Sequence, residues 1–586
     1  MADTIVARLF EQANKRGSAP AYFAKQGGSW RKTSYAEYAD QVKTAGRALL
    51  ALGLASGSRV SILGFNRPEW VILDLAAMAV GGAAAGIYTT CSPEEVRYIV
   101  HHSESPLVLV EDQEQWKKIE AELPNMPLLK HVVLMQGAPK IEHPMVLSWE
   151  EFLAKASERT EDDLLAAVAA LEPSQLATLI YTSGTTGPPK GVMLSHENLA
   201  WTSKAAVAMN DFRASDCSLS YLPLSHIAEQ MFSIHAPITA GAHLYFAESI
   251  EALPDNLKEV QPTVFFGVPR IWEKFHAAIS AKLRAATGAK KTLVGWARGV
   301  GSRVTALKIR GETPGGLLAV QYKLADKLLF SKLKPAIGLG RARLLVSGAA
   351  PISKEILDFF GSLDVVIQEV YGQSEDTGPT SFNLANRAKF GTVGPVFKGC
   401  DVKIAEDGEI LVKGPNVFMG YYKDEAATQE ALVDGYLHSG DLGEFDAEGF
   451  LIITGRKKDI IITAGGKNVT PKNIEGALKN DELVSEAVVI GDRRKYLTCL
   501  ITVDPEVAAG VAGGEPAHES AAVRARLQAL VDEVNSHVAQ VETIKKFTVL
   551  SRQLTIEDGD LTPTLKVKRN KVVEHFAAEI EKMYAE

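Results

Sequence analysis

The chain of 586 residues is too long for one hydrophobic core, so two or more domains are expected. Its hydrophobic content of 46%, charged content of 23% and net charge of −8 are ordinary for a soluble globular protein, and we expect no nucleic-acid partner. The four cysteines, Cys91, Cys217, Cys400 and Cys499, are far apart and form no CxxC pair. This spacing argues against a zinc site or a disulfide framework and favours a reducing compartment, so a cytoplasmic location is expected.

Helix and strand patterns alternate in the first part of the chain. Residues 34–54 have the apolar spacing of an amphipathic helix, residues 58–65 read as a buried strand, and residues 70–80 as a further helix. Short apolar runs follow at residues 107–112 and 131–136. This alternation predicts a largely parallel sheet with helices on both faces.

Two segments raise the question of membrane contact. Residues 71–88 are apolar but contain Asp74 and two adjacent glycines, which favours a buried helix running into a buried strand over a membrane span. Residues 270–343 carry 16 Lys and Arg against 3 Asp and Glu, in a chain whose remainder has a net charge of −21. This basic window predicts a helical insertion, which is either a solvated face or a peripheral surface for membranes or acidic partners.

The pattern changes after residue 393. Short β-type runs separated by Asp-Gly and Glu-Gly turns fill residues 393–455 and predict a small antiparallel sheet or barrel. A mixed α/β pattern resumes after the basic residues 456–459. We therefore expect an N-terminal domain over residues 1–457 and a C-terminal domain over residues 458–586.

The most specific motif is YTSGTTGPPKG at residues 181–191, which lies between two apolar runs. Its glycines free the backbone to present N–H groups to an anion, its hydroxyls add donors, and Lys190 adds a positive charge. A Walker A loop would open directly into a helix, whereas here Gly191 and the β-type VMLS follow the lysine. The motif thus predicts a phosphate-binding loop that joins two strands.

This complete motif, followed in order by YLPLSHIAEQ, LLVSGAAPIS, QEVYGQSE, YLHSGDLGEF, TGRKKD and AGGKNVTP, resembles the adenylate-forming superfamily. That superfamily includes acyl-CoA synthetases, firefly luciferase and peptide-synthetase adenylation domains. The helical insertion after VPRIWEKF and the ending LTPTLKVKR are similar to long-chain and bubblegum-type fatty acyl-CoA synthetases. The resemblance implies an α/β fold: a large N-terminal domain of helix-flanked mixed sheets with a small β-barrel subdomain, and a smaller, mobile C-terminal α+β domain.

The resemblance also implies which residues bind the nucleotide. Tyr371 would stack on adenine, Asp441 would bind both ribose hydroxyls, and Thr182 and Glu375 would hold Mg²⁺. The full set implied to contact ATP or AMP is Thr182, Ser183, Gly184, Thr185, Thr186, Gly187, Lys190, Gly348, Ala349, Gln368, Glu369, Tyr371, Gly372, Ser374, Asp441 and Arg456.

Three catalytic residues follow from the same resemblance: Lys566, His226 and Glu375. His226 would lie against the acyl carboxylate and donate to developing negative charge, while Lys566 would act in adenylate formation. Lys458 corresponds to a hinge about which the C-terminal domain rotates between two half-reactions. After rotation, a loop containing Gly465, Gly466 and Lys467 would enter the site and leave room for the pantetheine arm of coenzyme A.

These expectations describe an ATP-dependent, AMP-forming acyl-CoA ligase for medium- or long-chain fatty acids, with Mg²⁺ as its metal and coenzyme A as co-substrate. A peptide-synthetase module is disfavoured because only 20 residues follow Lys566 and leave no carrier domain. A fatty acyl-AMP ligase that delivers to a carrier protein remains an alternative. A non-catalytic scaffold would be expected to have lost motif residues that are present here.

Overall fold

The computed structural model describes residues 2–54, 56–182, 188–562 and 566–585. The α-helices within these residues are, in chain order, α1 Ile5–Arg16, α2 Tyr35–Ala51, α3 Pro68–Ala79, α4 Pro93–His102, α5 Gln113–Glu122, α6 Trp149–Ala154, α7 Glu161–Ala169, α8 His196–Met209, α9 Ile227–Gln230, α10 Ala236–Ala240, α11 Leu253–Val260, α12 Pro269–Arg284, α13 Gly288–Lys308, α14 Gly316–Ala325, α15 Ser331–Ala336, α16 Lys354–Ser362, α17 Glu425–Ala431, α18 Pro471–Lys479, α19 Pro505–Ala512, α20 Ala521–Ser536, α21 Arg569–His575 and α22 Ala577–Tyr584. Met231–His235 and Asp326–Phe330 are π-helical.

The strands of the same residues are β1 Pro20–Gln26, β2 Ser29–Ser34, β3 Arg59–Leu63, β4 Ala83–Ile87, β5 Leu107–Val110, β6 His131–Leu134, β7 Val146–Leu147, β8 Leu176–Thr182, β9 Lys190–Ser195, β10 Cys217–Ser220, β11 His243–Phe246, β12 Val264–Gly267, β13 Leu344–Ser347, β14 Ile367–Tyr371, β15 Ser381–Phe382, β16 Asp401–Ile404, β17 Glu409–Lys413, β18 Gly420–Tyr421, β19 Leu432–Val433, β20 Tyr436–Phe445, β21 Leu451–Arg456, β22 Ile461–Ile462, β23 Asn468–Val469, β24 Val484–Ile490, β25 Leu497–Val503 and β26 Ile544–Val549.

The predicted parallel sheet is the core of the N-terminal region. Eight strands lie in the order β18-β9-β8-β4-β3-β5-β6-β7, and the six from β8 to β7 run parallel. Only β9 and β18 are antiparallel to their neighbours. The sheet is therefore mixed, and β9, which begins at Lys190 of the phosphate-loop motif, lies with β18 at its antiparallel edge.

Residues 71–88 form the predicted buried helix and strand. All residues of α3 from Glu69 onward are buried, as is every residue of β4. Asp74 lies fully buried in α3, where burial raises the pKa of its carboxyl to about 8, so the group is mostly protonated at neutral pH. Among the described residues, no helix is both long and apolar enough to cross a bilayer.

Two further sheets complete the large N-terminal region, in the orders β10-β11-β1-β2 and β12-β13-β14-β15. In the second, β12, β13 and β14 are parallel, so their carboxyl ends meet at one edge. The glycine-rich segment after β13 and the motif after β14 lie at that edge. Since ligands of α/β sheets bind outside the carboxyl ends of the strands, this edge is where a nucleotide site is expected.

The β-rich segment 393–455 is an antiparallel sheet in which β20 pairs with β17, β19 and β21. Its described strand pairs leave β16 at an open edge, so of the two predicted forms, antiparallel sheet or barrel, they show the sheet. Residues beyond Arg456 build separate cores around the sheet β24-β25-β26. The basic window is helical as predicted, since it contains α12 to α15.

Candidate active site

The phosphate-loop motif lies at the tip of a hairpin. Thr182 ends β8, Lys190 begins β9, and the two residues are register partners in the antiparallel pair. The prediction that this loop joins two strands is therefore confirmed. Five of the predicted nucleotide ligands, Ser183, Gly184, Thr185, Thr186 and Gly187, lie outside the described residues.

A tyrosine links this hairpin to the predicted metal ligand. The ammonium of Lys190 lies 4.7 Å from the ring centroid of Tyr421, and the Tyr421 hydroxyl donates to Glu375 Oε1 at 2.8 Å. Burial, followed by the charge of Glu375, raises the pKa of Tyr421, so its phenol stays protonated and remains a donor. Strand β18, which carries Tyr421, pairs with β9 and thereby holds Glu375 beside the phosphate loop.

The loop that carries Glu375 is held by a buried carboxyl group. Asp376 is fully buried, accepts the backbone N–H of Gln373 at 2.6 Å and accepts the Thr380 hydroxyl at 2.8 Å. Burial raises the pKa of Asp376 well above its ordinary value. A Cβ at Gly372 would stand 1.5 Å from the carbonyl oxygen of Gly378, so only glycine allows this tight turn.

The predicted ribose and adenine residues form one hydrogen-bonded group. Asp441 and Arg456 are register partners of β20 and β21, and Arg456 Nε lies 3.1 Å from Asp441 Oδ1. The Tyr371 hydroxyl donates to Asp441 Oδ2 at 3.0 Å. Each carboxylate oxygen can accept a second hydrogen bond, so Asp441 keeps capacity for a cis-diol.

Lys566 is brought to the same cleft from the C-terminal region. The residue as a whole is exposed, and the charged groups of the cleft act on its amine. Burial, followed by the positive charges of Arg456 and Lys472, lowers the pKa of Lys566 to about 8, while Asp441 and Glu375 oppose this shift. An ammonium with a pKa near neutrality is characteristic of a functional group in a cleft.

His226 lies close enough to Lys566 for the lysine charge to act on its ring. Its Nδ1 accepts the backbone N–H of Ala228 at 3.1 Å, at the start of α9. Burial, together with the charge of Lys566, lowers the pKa of His226 to about 4, so the ring is neutral at physiological pH. Because Nδ1 is an acceptor, the proton of the neutral ring lies on Nε2, which can donate to a substrate oxygen.

The small residues after β13 pack closely on β14. A Cβ at Gly348 would meet Val370 at 2.5 Å, and Ala349 has a φ of +66°. Gln368 and Glu369 are neighbours in β14, so their side chains point to opposite faces of the sheet. Glu369 accepts the backbone N–H of Gly391 at 3.0 Å, which gives it a local structural contact.

Ser374 is buried in the turn that precedes Glu375, whereas the residues predicted for the second half-reaction lie at the surface. Lys458 is exposed in a short 3₁₀ turn between β21 and β22. Gly465, Gly466 and Lys467 are exposed in the turn between β22 and β23, and the hydrogen bonds of that turn stay within the C-terminal region. Of the predicted nucleotide residues that the structure describes, it thus brings Lys190, Tyr371, Glu375, Asp441 and Arg456 together with Lys566, and it leaves this turn exposed.

Sequence reasoning missed three residues of the cleft: Tyr421, Asp376 and Lys472. Tyr421 is 46 positions from Glu375 and meets it only because β18 adds to the sheet edge. Asp376 follows Glu375 directly in the sequence. Two adjacent acidic residues could have indicated that one binds a ligand while the other holds the turn through hydrogen bonds. Lys472 lies in α18, and its charge acts on Lys566.

This cleft can be compared with known proteins. The profile of the AMP-binding enzyme family matches residues 9–422, and that of the AMP-binding enzyme C-terminal domain matches residues 458–586. The chain belongs to the AMP-binding enzyme family. A long-chain-fatty-acid–CoA ligase of Xenopus laevis, ACSBG2, is 38% identical over 98% of this chain and 83% of its own length. The Mycobacterium tuberculosis long-chain-fatty-acid–CoA ligase FadD15 is 38% identical over 99% of this chain and 97% of its own length.

Solved structures of AMP-binding enzymes have the same fold. The anthranilate CoA ligase AuaEII in complex with anthranoyl-AMP superposes with a TM-score of 0.74 at 20% identity, covering 99% of this chain and 98% of that one. The o-succinylbenzoate CoA synthetase MenE of Bacillus subtilis, in complex with its acyl-adenylate, superposes with a TM-score of 0.71 at 22% identity, covering 96% of this chain and 97% of that one. These similarities establish the fold of the chain and do not identify its acid substrate.

Proposed function

We propose that this AMP-binding enzyme is a long-chain fatty acid–CoA ligase that works through an acyl-adenylate. The observation that carries the proposal is the convergence of Lys566, Glu375, Asp441 and Arg456 on one cleft, beside the Lys190 hairpin. The long-chain ligases that share 38% identity with the chain over nearly its full length support the same activity.

In the first half-reaction, a carboxylate oxygen of the acid attacks the α-phosphorus of ATP. The bond from that phosphorus to the bridging oxygen breaks, and pyrophosphate leaves with the electron pair. Lys190 and Lys566 supply positive charge around the phosphates, and Asp441 holds the ribose. His226 Nε2–H can donate to the acyl carboxylate and orient it.

A magnesium ion fits this site. Mg²⁺ binds one or two protein oxygens and takes most of its other ligands from phosphates and water, so a cluster of carboxylates is not needed. Glu375, with Oε1 oriented by Tyr421, and Thr182 at the end of β8 would hold it. When bound, it would supply charge neutralisation on the phosphate oxygens.

In the second half-reaction, the thiolate of coenzyme A attacks the acyl carbonyl, and AMP leaves. Lys566 has no role in this step, whereas the turn at residues 464–467 would have to reach the cleft. We propose that residues 458–586 rotate as a domain against residues 1–457 about Lys458, because one orientation cannot place both segments at the same carbonyl.

A small apolar crevice lies at the amino end of β13. It lies between α8, the π-helical segment after α9 and the ends of β13 and β15, and Asn210 is the only polar residue in its lining. Phe232, six residues after His226, and Phe212 form part of its wall. The crevice is too small to hold an acyl chain, so the proposed long-chain preference rests on the related ligases.

The test is AMP release measured with acids from acetate to long-chain and aryl acids, with and without coenzyme A. We expect the highest kcat/KM for a long-chain acid and continuous AMP release only when coenzyme A is present. Without coenzyme A, acyl-adenylate should accumulate to one equivalent per enzyme. Continuous turnover without the thiol, or a wide preference for an aryl acid, would contradict the proposal.

A further inference from the structure

The basic window contains an exposed apolar stripe. Leu317 is 73% exposed, Val320 64%, Leu324 48% and Leu328 38%, and the four lie three or four positions apart along α14 and the π-helical turn that follows. This spacing places them along one side of the helical segment. We name Leu317, Val320, Leu324 and Leu328 the outer stripe.

The segment is already anchored to the protein by its opposite face. Ala325 and Phe330 are fully buried, and Leu318, Tyr322 and Leu329 pack beside them against α13. The Tyr322 hydroxyl also donates to the buried Asp364 at 2.9 Å. The outer stripe is therefore a second apolar face that the fold does not use, and its substitution should leave the inner packing intact.

Lysines border the outer stripe. Lys323, Lys327 and Lys332 are exposed, and none of them has an ion-pair partner among the described residues. In helical projection, Lys323 and Lys327 fall on one flank of the stripe. On the other flank, Arg303 donates to Gln321 at 3.1 Å. Long cationic side chains beside aliphatic ones can keep their charges in water while the stripe enters an apolar medium.

Much of the remaining positive charge of the window serves the fold. The residues paired with carboxylates inside the protein are Arg270, Arg284, Lys308, Lys334 and Arg343. The charge count of the sequence therefore overstates what the window can offer to a partner. Among the described residues, the exposed cations of the window without a carboxylate partner include Lys323, Lys327 and Lys332 beside the outer stripe, and also Lys274, Lys282, Lys290, Lys291 and Arg310 on or next to α12 and α13.

We propose that the outer stripe docks the protein on an anionic lipid bilayer, with the helical segment lying in the plane of the surface. Four aliphatic side chains without polar groups suit an acyl layer, and flanking lysines complement anionic headgroups. The described helices are too short or too polar to span a bilayer, which leaves surface binding as the mode. Docking would bring the enzyme close to a fatty acid dissolved in the bilayer, and this advantage rests on the proposed function.

The test is sedimentation of the full-length protein with vesicles of phosphatidylcholine alone or mixed with phosphatidylglycerol, without ATP, acid or coenzyme A. We expect binding to the mixed vesicles that raised salt weakens. The variant Leu317→Gln/Val320→Gln/Leu324→Gln should lower the partition by at least about tenfold. The variant Lys323→Glu/Lys327→Glu/Lys332→Glu should remove the preference for mixed vesicles.

Two matched controls distinguish a specific effect of the stripe from the effects of changing surface charge or losing an exposed aliphatic side chain elsewhere. Lys117→Glu/Lys130→Glu/Lys545→Glu makes the same charge change at exposed lysines outside the basic window, and Ile250→Gln removes an exposed aliphatic group elsewhere. Both should bind like the wild type. Equal binding by the stripe variant and the wild type would overturn the proposal. A second result would also overturn it: the wild type binds no vesicles but self-associates, and the stripe variant does not self-associate. A second copy of the protein would then cover the stripe. Ligase activity on a soluble acid is a separate readout, so the two proposals can fail independently.

Discussion

Two segments of the C-terminal region are proposed to act in the reaction, one in each half-reaction, and only one of them lies near the charged groups of the cleft. Lys566 lies where the charges of Arg456, Asp441 and Glu375 act on its amine. The turn containing Gly465 and Gly466 is exposed, and a Cβ at Gly466 would have no neighbour within 4 Å. The structure therefore has the arrangement that the proposed adenylate formation needs, and we propose a different one for the thioester step.

This difference supports the proposal that residues 458–586 take two orientations toward the cleft. Adenylate formation develops negative charge on departing pyrophosphate, which a lysine stabilises. Thioester formation instead needs space for a narrow thiol arm, and a lysine side chain beside the carbonyl would obstruct it. Substitutions that touch one loop should accordingly affect one half-reaction only.

The largest expected effect is that of Lys566→Ala. Acyl-adenylate formation should fall by about 100-fold, since one electrostatic contact at the developing charge is lost. Thioester formation from supplied acyl-adenylate should stay close to the wild-type rate, as single-turnover measurement of each step would show. Lys568→Ala is the control for a nearby lysine, and Gly466→Val should give the reciprocal pattern. An equal loss in both steps of the Lys566 variant would refute the assignment.

The next effect is a pH dependence confined to the first step. With a pKa of about 8, Lys566 is protonated below that pH and loses its charge above it. The kcat/KM for ATP in adenylate formation should therefore fall as pH rises through 8, by about tenfold per pH unit beyond it, since this parameter reports the free enzyme.

The variant Lys566→Arg tests whether Lys566 causes the fall in kcat/KM above pH 8. A guanidinium stays charged over the whole range, so the fall above pH 8 should disappear even if the maximal rate is lower. Thioester formation should show no such fall, because coenzyme A becomes a better nucleophile as its thiol ionises. A fall of the same shape in the Lys566→Arg variant would assign the pKa to another group.

Local sequence patterns were sufficient for much of the fold and of the site. The helix predicted over residues 34–54 is α2, and its start at Ser34 is set by a capping box with Glu37. The hairpin at Lys190 and the buried helix α3 were predicted in the same way. These features depend on residues close in sequence, which periodicity and turn chemistry describe well.

Contacts between distant segments were not predictable in this way. The role of Tyr421 depends on the pairing of β18 with β9, which joins residues more than 220 positions apart. Similarly, a count of charges over residues 270–343 could not reveal that Arg270 and Arg284 face glutamates of the C-terminal region. The open edge of the sheet at residues 393–455 also depends on which strands pair, and alternation alone does not determine this.

The smallest expected effect concerns these ion pairs. Arg270 Nη1 lies 3.1 Å from Glu486, and Arg284 pairs with Glu482, so two contacts of α12 hold the C-terminal region in the orientation with Lys566 in the cleft. Both arginines are partly exposed, and exposed pairs contribute about 0.2 to 1 kcal/mol each, so Arg270→Ala/Arg284→Ala should slow adenylate formation by about twofold to at most about 30-fold. The thioester step should be unchanged or faster, because the other orientation becomes more populated. Raised salt should bring the wild-type ratio of the two rates toward that of the variant, since screening weakens the same contacts.

The control is Lys274→Ala, which replaces an exposed lysine of α12 that has no ion-pair partner among the described residues. It should change neither rate. If the double variant slowed both steps equally, the pairs would stabilise the fold as a whole and would not select one orientation.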